Sequence, residues 1–400
     1  MSTLAIGSGH AGTETPVRPR VLVVDLLRGL AIVLMALDHV REFLQAAQVD
    51  PLNLNETTVP LFFTRWVTHF CPSLFILLAG ASIALGLNGR RSRREQARFV
   101  FVRGVWLVIL ELTIVHLGWQ FNFHFESALG QVIWVIGWSM ICMAVLLYLP
   151  APVVTVFGLV LIFGHNAFDT IHADRFGKYA WVWQFLHDRG YISCGKCGIY
   201  IAYPLVPWVG VMAAGFGFGR LLRWNSPARG WVIFATGIAM IAAFAILRGK
   251  NIYGDPAPWT AQETPVKTLM AILNCQKYPP SLSYLLMTLG PMLAFWPLWE
   301  RSRGPLARFL VVFGRVPLFF YAVHLFVIHG LTLAIVYAQV GLPLPGWLWG
   351  FPPGHAGENC GVNLPVLYLI WIGVVLLHYP LCRRFDRLKA RYPNSVLRFM

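Results

Sequence analysis

Residues 21–44 read VLVVDLLRGLAIVLMALDHVREFL, a stretch that is apolar except at a few charged or titratable positions. About 20 mostly apolar residues suffice for a helix to cross the hydrocarbon core of a bilayer. Of the 400 residues in the chain, 57% are hydrophobic and only 12% are charged, whereas soluble domains carry about 25% charged residues. The sequence therefore predicts an all-α polytopic integral membrane protein. It excludes a disordered chain, a coiled coil, a fibre and an ordinary cytosolic enzyme.

Nine further stretches resemble the first in length and composition, so we predict about 10–11 transmembrane helices in one bundle. They form a single domain at 21–385, between a tail at 1–20 and a tail at 386–400, with outer loops at 166–199, 248–278 and 340–362. The predicted spans are 21–44, 61–87, 99–119, 131–149, 151–165, 200–222, 230–247, 279–299, 316–339 and 363–382.

The formal net charge of +15 is distributed in short runs of Lys and Arg between the apolar stretches. Twenty of these cations lie in segments that we assign to the inside and eight in outer loops. Because cytoplasmic loops carry an excess of Lys and Arg, we expect both termini to be cytoplasmic. The cations are not gathered on a soluble domain, so nucleic-acid binding is not expected.

Four of the seven cysteines fall on the predicted outer side. They could form structural disulfides or remain free thiols, and the spacing of the first two would also suit a metal or redox site. The sequence leaves these alternatives open. The four are Cys194, Cys197, Cys275 and Cys360.

The first span carries three polar side chains on one face: Asp25, Arg28 and His39. At 100° per residue these positions fall within a narrow stripe that runs from the inner toward the outer end of the helix. Ionisable groups inside a membrane span are costly and mark functional sites by default. The stripe is therefore a candidate site.

The second and third spans add ionisable side chains at the same outer depth as His39. Arg65 and His69 are spaced i,i+4, and Pro72 just after them should kink the helix. Glu111 lies near the outer end of the third span, with His116 beyond it. These groups predict a shared hydrated cavity, either a structural network in which Glu111 pairs with Arg65 or a site that handles protons or an acyl group.

The remaining histidines give weaker signals. A buried hydrogen-bonded pair of His324 with Tyr321 is the favoured interpretation of the ninth span. The histidines of the loops and span ends, among them His165, His172 and His187, are too scattered to suggest a metal site. No metal is expected.

Six segments in this order resemble the heparan-alpha-glucosaminide N-acetyltransferase family, in particular its bacterial members. The resemblance covers about residues 20–390. The segments are DLLRGLAI at 25–32, FTRWVTHFCP at 63–72 with LAG at 78–80, VIWVIGWSM at 132–140, YPLVPWVGVM at 203–212, KYPPS at 277–281 with MTLGP at 287–291, and GRVPLFFYAVH at 314–324.

The resemblance implies a transmembrane acyltransferase that takes acetyl from cytosolic acetyl-CoA and delivers it to an amine or hydroxyl of a sugar or glycan on the far side. It implies a multi-pass protein of the bacterial inner membrane, with the lipid bilayer and the two substrates as partners. The chain could also form a homodimer. The family's chemistry involves polar residues, including a His near the far end of the first span, which corresponds here to His39.

His39 is the residue on which we expect transfer to depend, as general base or as transient acetyl carrier. Asp38 or Glu111 could orient its ring, and Arg65 could polarise the thioester carbonyl. Arginine guanidinium groups on the inner side suit the phosphates of CoA. The candidate catalytic residues are His39, Asp38, Arg65, His69 and Glu111; the candidate donor-binding residues are Asp25, Arg28, Arg90, Arg91, Arg93, Arg94, Arg220 and Arg223.

Two other classes of protein remain as alternatives. A proton-coupled transporter could use the same polar stripe and histidines, although the paired half-chains typical of such carriers are not visible in the sequence. A non-catalytic membrane scaffold would not need charged side chains along the first helix.

Overall fold

The computed structural model describes residues 22–46, 49–87, 92–124, 126–349, 360–392, 395 and 397. The chain in these ranges is mainly helical. The helices are α1 (Leu22–Leu44), α2 (Val59–Trp66), α3 (Phe70–Gly86), α4 (Arg93–Leu110), α5 (His116–Gln120), α6 (Val132–Leu146), α7 (Ala151–Gly164), α8 (Ala180–Leu186), α9 (Leu205–Leu222), α10 (Ala228–Gly249), α11 (Pro265–Leu273), α12 (Leu282–Ala294), α13 (Trp296–Arg301), α14 (Pro305–Arg315), α15 (Pro317–Val340) and α16 (Leu364–Arg391).

A helix lies at each of the ten predicted spans, and seven helical segments are long and apolar enough to cross a membrane. Two shorter apolar helices, α6 and α12, and the charged α1 account for the others. Several helices expose large apolar side chains, such as Trp231 and Ile238 of α10 and Leu369 of α16, as helices that face lipid must. The prediction of an all-α polytopic membrane protein is confirmed.

A proline and a π-helical turn interrupt two of the spans at the depth of the candidate site. The segment Val67–His69 between α2 and α3 is a 3-10 turn, because Pro72 has no backbone N–H to donate to the carbonyl of the preceding turn and its ring crowds that carbonyl. The segment Glu111–Val115 between α4 and α5 is π-helical, a distortion that is frequent at functional sites. The kink expected from Pro72 therefore lies just before that residue.

A three-stranded sheet, which the sequence did not predict, covers one end of the bundle. Its strands are β1 (Ser127–Gly130), β2 (Gly190–Cys194) and β3 (Cys197–Ile201), in the order β1-β3-β2. β1 is parallel to β3, and β2 and β3 form an antiparallel hairpin. At the turn of this hairpin Cys194 lies opposite Cys197, and all seven cysteines are free thiols.

α1 packs among α3, α14, α15 and α16. Its contact with α14 depends on two glycines, because a Cβ on Gly29 would overlap the carbonyl oxygen of Leu310 and a Cβ on Gly314 would overlap that of Asp25. Small residues let helix backbones approach this closely inside a membrane. α1 is therefore held against neighbours on several sides, and its polar face lies within the bundle.

Candidate active site

A cavity of about 530 Å³ lies beside the C-terminal half of α1, between the bundle and the small sheet. We call it the histidine cavity. Its wall includes His39, Asp38, Arg65, Tyr203, Lys277 and Tyr278. Three of the five predicted catalytic residues thus line one cavity.

Asp38 is the centre of the charge network in this cavity. Its Oδ1 accepts hydrogen bonds from Nε and Nη2 of Arg41, at 3.3 and 3.1 Å, and its Oδ2 accepts one from Nη1 of Arg65. Asp38 and Arg41 are buried and Arg65 is largely so, so one carboxylate neutralises two guanidinium groups that have little contact with water. Asp38 binds these cations rather than the ring of His39, and the predicted pairing of Glu111 with Arg65 is wrong.

His39 is oriented by a second histidine, His324 of α15. Nδ1 of His39 lies 2.7 Å from Nε2 of His324. Nδ1 of His324 lies 2.7 Å from the carbonyl oxygen of Tyr321 and 3.0 Å from that of Phe320, so it must donate. In the neutral ring, Nε2 of His324 is then the acceptor, and Nδ1 of His39 must carry a hydrogen.

This pattern leaves Nε2 of His39 with its lone pair, which is the state that a general base or nucleophile needs. Trp119 packs edge-on against the His39 ring, with the ring centroids 4.9 Å apart, and itself stacks on Phe43. The ring is therefore fixed by packing as well as by its hydrogen bond. Sequence reasoning gave His324 only a structural role and did not connect it with His39.

Lys277 and Tyr278 add positive charge and a phenol to the same wall. Lys277 is buried, and its Nζ lies 5.0 Å from the centre of the Tyr278 ring. Burial opposes ionisation of the Tyr278 hydroxyl, but Lys277, Arg65 and side-chain hydrogen bonds outweigh it and hold its pKa below the ordinary value. Both residues belong to the KYPPS segment, which carries part of the family resemblance but was not predicted to belong to the site.

The other two predicted catalytic residues do not belong to this wall, and His69 instead borders a neighbouring cavity. His69 is fully buried, and Tyr284 donates a 2.5 Å hydrogen bond to its backbone carbonyl. Glu111 accepts a 3.2 Å hydrogen bond from the backbone N–H of Trp134 in the first turn of α6, a position where a carboxylate is favourable. Neither is among the described residues that line the histidine cavity.

A second cavity, of about 750 Å³, lies beside the N-terminal half of α1. We call it the arginine cavity because Arg28, Arg103, Arg223 and Arg315 line it, together with Lys389. Arg28 donates to the carbonyl oxygen of Leu78 and to the hydroxyl of Ser82.

The predicted donor-binding residues divide between this cavity and the surface. Asp25, Arg28 and Arg223 line it, whereas Arg93, Arg94 and Arg220 are not among its described lining residues; Arg90 and Arg91 lie outside the described residues. Sequence reasoning missed Arg103, although a charged residue inside a predicted span was an available signal.

The two cavities adjoin, since Met35, Phe75 and Val132 line both. On its other side the histidine cavity meets a third cavity of about 410 Å³, which we call the vestibule. These two share Arg65, Arg189, Lys277 and Tyr278. Three adjoining cavities therefore extend along α1 and past its C-terminal end.

The fold and this arrangement define a polytopic membrane protein with a buried histidine site between two further cavities. The model of the catalytic region of heparan-alpha-glucosaminide N-acetyltransferase matches residues 20–253. The chain belongs to this family, a family of membrane acetyltransferases, as the sequence motifs predicted. No curated protein matches the chain.

Proposed function

We propose that the protein transfers an acetyl group from acetyl-CoA, bound at the cytoplasmic side of the bacterial inner membrane, to an amine or hydroxyl of a sugar or glycan at the outer side. The observation that carries the proposal is the pair of adjoining cavities along α1. Arg28 faces one of them and His39 the other, separated by about 16 Å of helix rise. An extended pantetheine arm can cover such a distance.

The arginine cavity supports the donor assignment by its chemistry. Guanidinium groups bind phosphate oxygens in pairs of parallel hydrogen bonds, and the nucleotide end of CoA carries phosphates that cannot enter the hydrocarbon core. Arg28, Arg103 and Arg223 surround a space that is otherwise largely apolar. The acyl end would pass between Met35, Phe75 and Val132 into the histidine cavity.

In the histidine cavity, Nε2 of His39 would take a proton from the acceptor amine or hydroxyl as that group attacks the thioester carbonyl. Arg65 and Lys277 would stabilise the charge that develops on the carbonyl oxygen. The bond from carbon to sulfur breaks, and the His39 imidazolium returns the proton to the departing thiolate. In the alternative route, in which His39 carries the acetyl group, Nε2 of His39 attacks the thioester carbonyl first. The acceptor then takes the acetyl group from His39.

Purified protein in detergent with radiolabelled acetyl-CoA and a panel of amino sugars and glycans tests this proposal. The wild type should release CoA and label an acceptor. His39→Ala should bind CoA normally and lose about 10²–10⁴ in rate, the usual loss of a general base. His124→Gln, a change of an exposed histidine away from the cavities, should retain full rate.

Transfer by His39→Ala at the rate of the wild type would contradict the role of His39. Absence of CoA binding by the wild type would contradict the donor assignment. Label found on the protein itself, released by an added acceptor, would favour the acetyl-carrier route over direct transfer.

A further inference from the structure

Two histidines and one aspartate from two separate segments of the chain meet at the edge of the vestibule. His165 follows the last turn of α7, Asp169 lies one turn further on, and His187 follows α8. One ligand atom from each lies within 4.8 Å of the other two. In the sequence alone these histidines are too scattered to predict a metal site, because residues 165 and 187 become neighbours only through the fold.

His165 is the least expected member of this group. It is only 2% exposed, and neither ring nitrogen has a hydrogen-bond partner among the described residues. A buried polar group without a partner costs about 1–3 kcal/mol. Buried polar groups usually have a partner, so the two ring nitrogens of His165 are available to a water molecule or a metal ion.

The other two side chains are close enough to share a ligand with it. Nε2 of His187 lies 3.7 Å from Oδ1 of Asp169 and 2.9 Å from the carbonyl oxygen of His165. Burial raises the pKa of the Asp169 carboxyl above its ordinary value. A cation between these groups would favour the ionised carboxylate and the neutral rings.

Surrounding contacts hold the three side chains in place. Asn166 donates a 2.7 Å hydrogen bond to Oδ2 of Asp169 and accepts one from the backbone N–H of Leu282 at 2.9 Å. Trp183 stacks on the His187 ring with centroids 5.2 Å apart. Partners of this kind orient the ligands in metal sites.

We propose that His165, Asp169 and His187 bind a divalent transition-metal ion, with Zn²⁺ as the reference case. Two imidazoles and one carboxylate form a three-ligand set that Zn²⁺ uses when its fourth position stays open. Asp169 and His187 line the vestibule, so the fourth ligand would come from there.

Zn²⁺ lies about 2.0–2.2 Å from its ligands, so the three side chains must move toward one another by roughly an ångström. Nε2 of His187 must also give up its hydrogen bond to the His165 carbonyl in order to bind the metal. The bound ion would then cross-link the segment after α8 to the C-terminal end of α7. This inference is independent of acetyl transfer.

Chelator-treated, full-length protein in detergent is dialysed against Zn²⁺ or Co²⁺, and bound metal is quantified. The wild type should bind one ion with a higher unfolding temperature, and its Co²⁺ form should absorb in the visible range. His165→Gln, Asp169→Asn and His187→Gln should each bind at least about 10–100-fold more weakly. His172→Gln is the matched control, because His172 lines the same vestibule but is largely exposed.

The exposed thiols of Cys194 and Cys197 are a second place where a metal ion could bind. The double variant Cys194→Ser/Cys197→Ser excludes them as ligands, and it should retain the ion. Three results would overturn the proposal: no uptake by the wild type, loss of the ion in the double cysteine variant, or binding by the three ligand variants as tight as that of the wild type. If the ligand variants do not give monodisperse protein, the Co²⁺ spectrum of the wild type decides the question. A spectrum typical of nitrogen and oxygen ligands supports the site, whereas a thiolate charge-transfer band contradicts it.

Discussion

The hydrogen bond between His39 and His324 determines which nitrogen of His39 can react. His324 accepts from Nδ1 of His39 and donates from its own Nδ1 to the carbonyl of Tyr321. Without that acceptor, the His39 ring could adopt the other tautomer and present a proton to the cavity. His324 is therefore a positioning residue for the proposed transfer.

Replacing His324 by Phe keeps the buried ring but removes the acceptor. We expect kcat for acetyl transfer to fall by about 10–100-fold, as for partners that orient a reacting group, with CoA affinity unchanged. His324→Gln, whose amide oxygen can accept, should recover part of the loss. Steady-state kinetics with a direct CoA-binding measurement separates the two effects, and an unchanged kcat in His324→Phe would show that His324 only packs.

Asp38 balances the charges of two largely buried guanidinium groups, so its loss should act on stability. Asp38→Asn leaves Arg41 and Arg65 without their shared carboxylate, and breaking a buried ion pair costs about 3–5 kcal/mol. We expect a clearly lower unfolding temperature in detergent. Removing one cation as well, in Asp38→Asn/Arg65→Gln, should recover part of the stability; a double variant less stable than the single one would contradict this account.

Charged residues inside a span made part of the site predictable, because their cost in lipid marks them out. Asp38, His39 and Arg65 were found in this way. His324 was not connected with His39, because 285 residues separate the two and helix periodicity says nothing about which spans adjoin. Lys277 was counted only as a loop cation, since nothing in the sequence shows that its loop folds over the cavity.

Among the elements, the α1–α14 contact controls the shape of the arginine cavity. Gly314 lies against the backbone of Asp25 and also lines that cavity. Gly314→Ala should separate the two helices, lower the unfolding temperature and weaken CoA binding. Gly330→Ala on α15 is the control, because a Cβ there meets no atom within 4 Å; it should be neutral or slightly stabilising, by up to about 1 kcal/mol. Equal behaviour of the two variants would contradict the close-approach argument.

Long apolar stretches made the helices predictable, whereas the sheet was not. Each strand has only four or five residues, too few to show a clear alternation beside loop residues. β1 also pairs in parallel with β3, about 70 residues further along the chain, and such a pairing depends on tertiary structure.

For the molecule as a whole, the cavities predict which arginines bind the donor. Arg28→Gln, Arg103→Gln and Arg223→Gln combined should weaken CoA binding well beyond tenfold, since hydrogen bonds to charged groups contribute about 1.5–3 kcal/mol each. The control combines changes to Gln at three arginines that do not line the cavity, namely Arg93, Arg94 and Arg220. Titration calorimetry in detergent measures both, and equal losses would indicate a general effect of positive charge rather than this cavity.

The orientation of the chain in the membrane is testable with its own thiols. Cys194 and Cys197 are exposed at the turn between β2 and β3, whereas the other five cysteines are buried or half-buried. If this end of the bundle faces outward, as the distribution of Lys and Arg predicts, an impermeant maleimide should label both in intact cells after mild reduction. In a Cys194→Ser/Cys197→Ser background, Asn225→Cys in the turn between α9 and α10 should react only after permeabilisation. The reverse pattern would place the vestibule in the cytoplasm, on the same side as acetyl-CoA, and the proposed transfer across the membrane would fail.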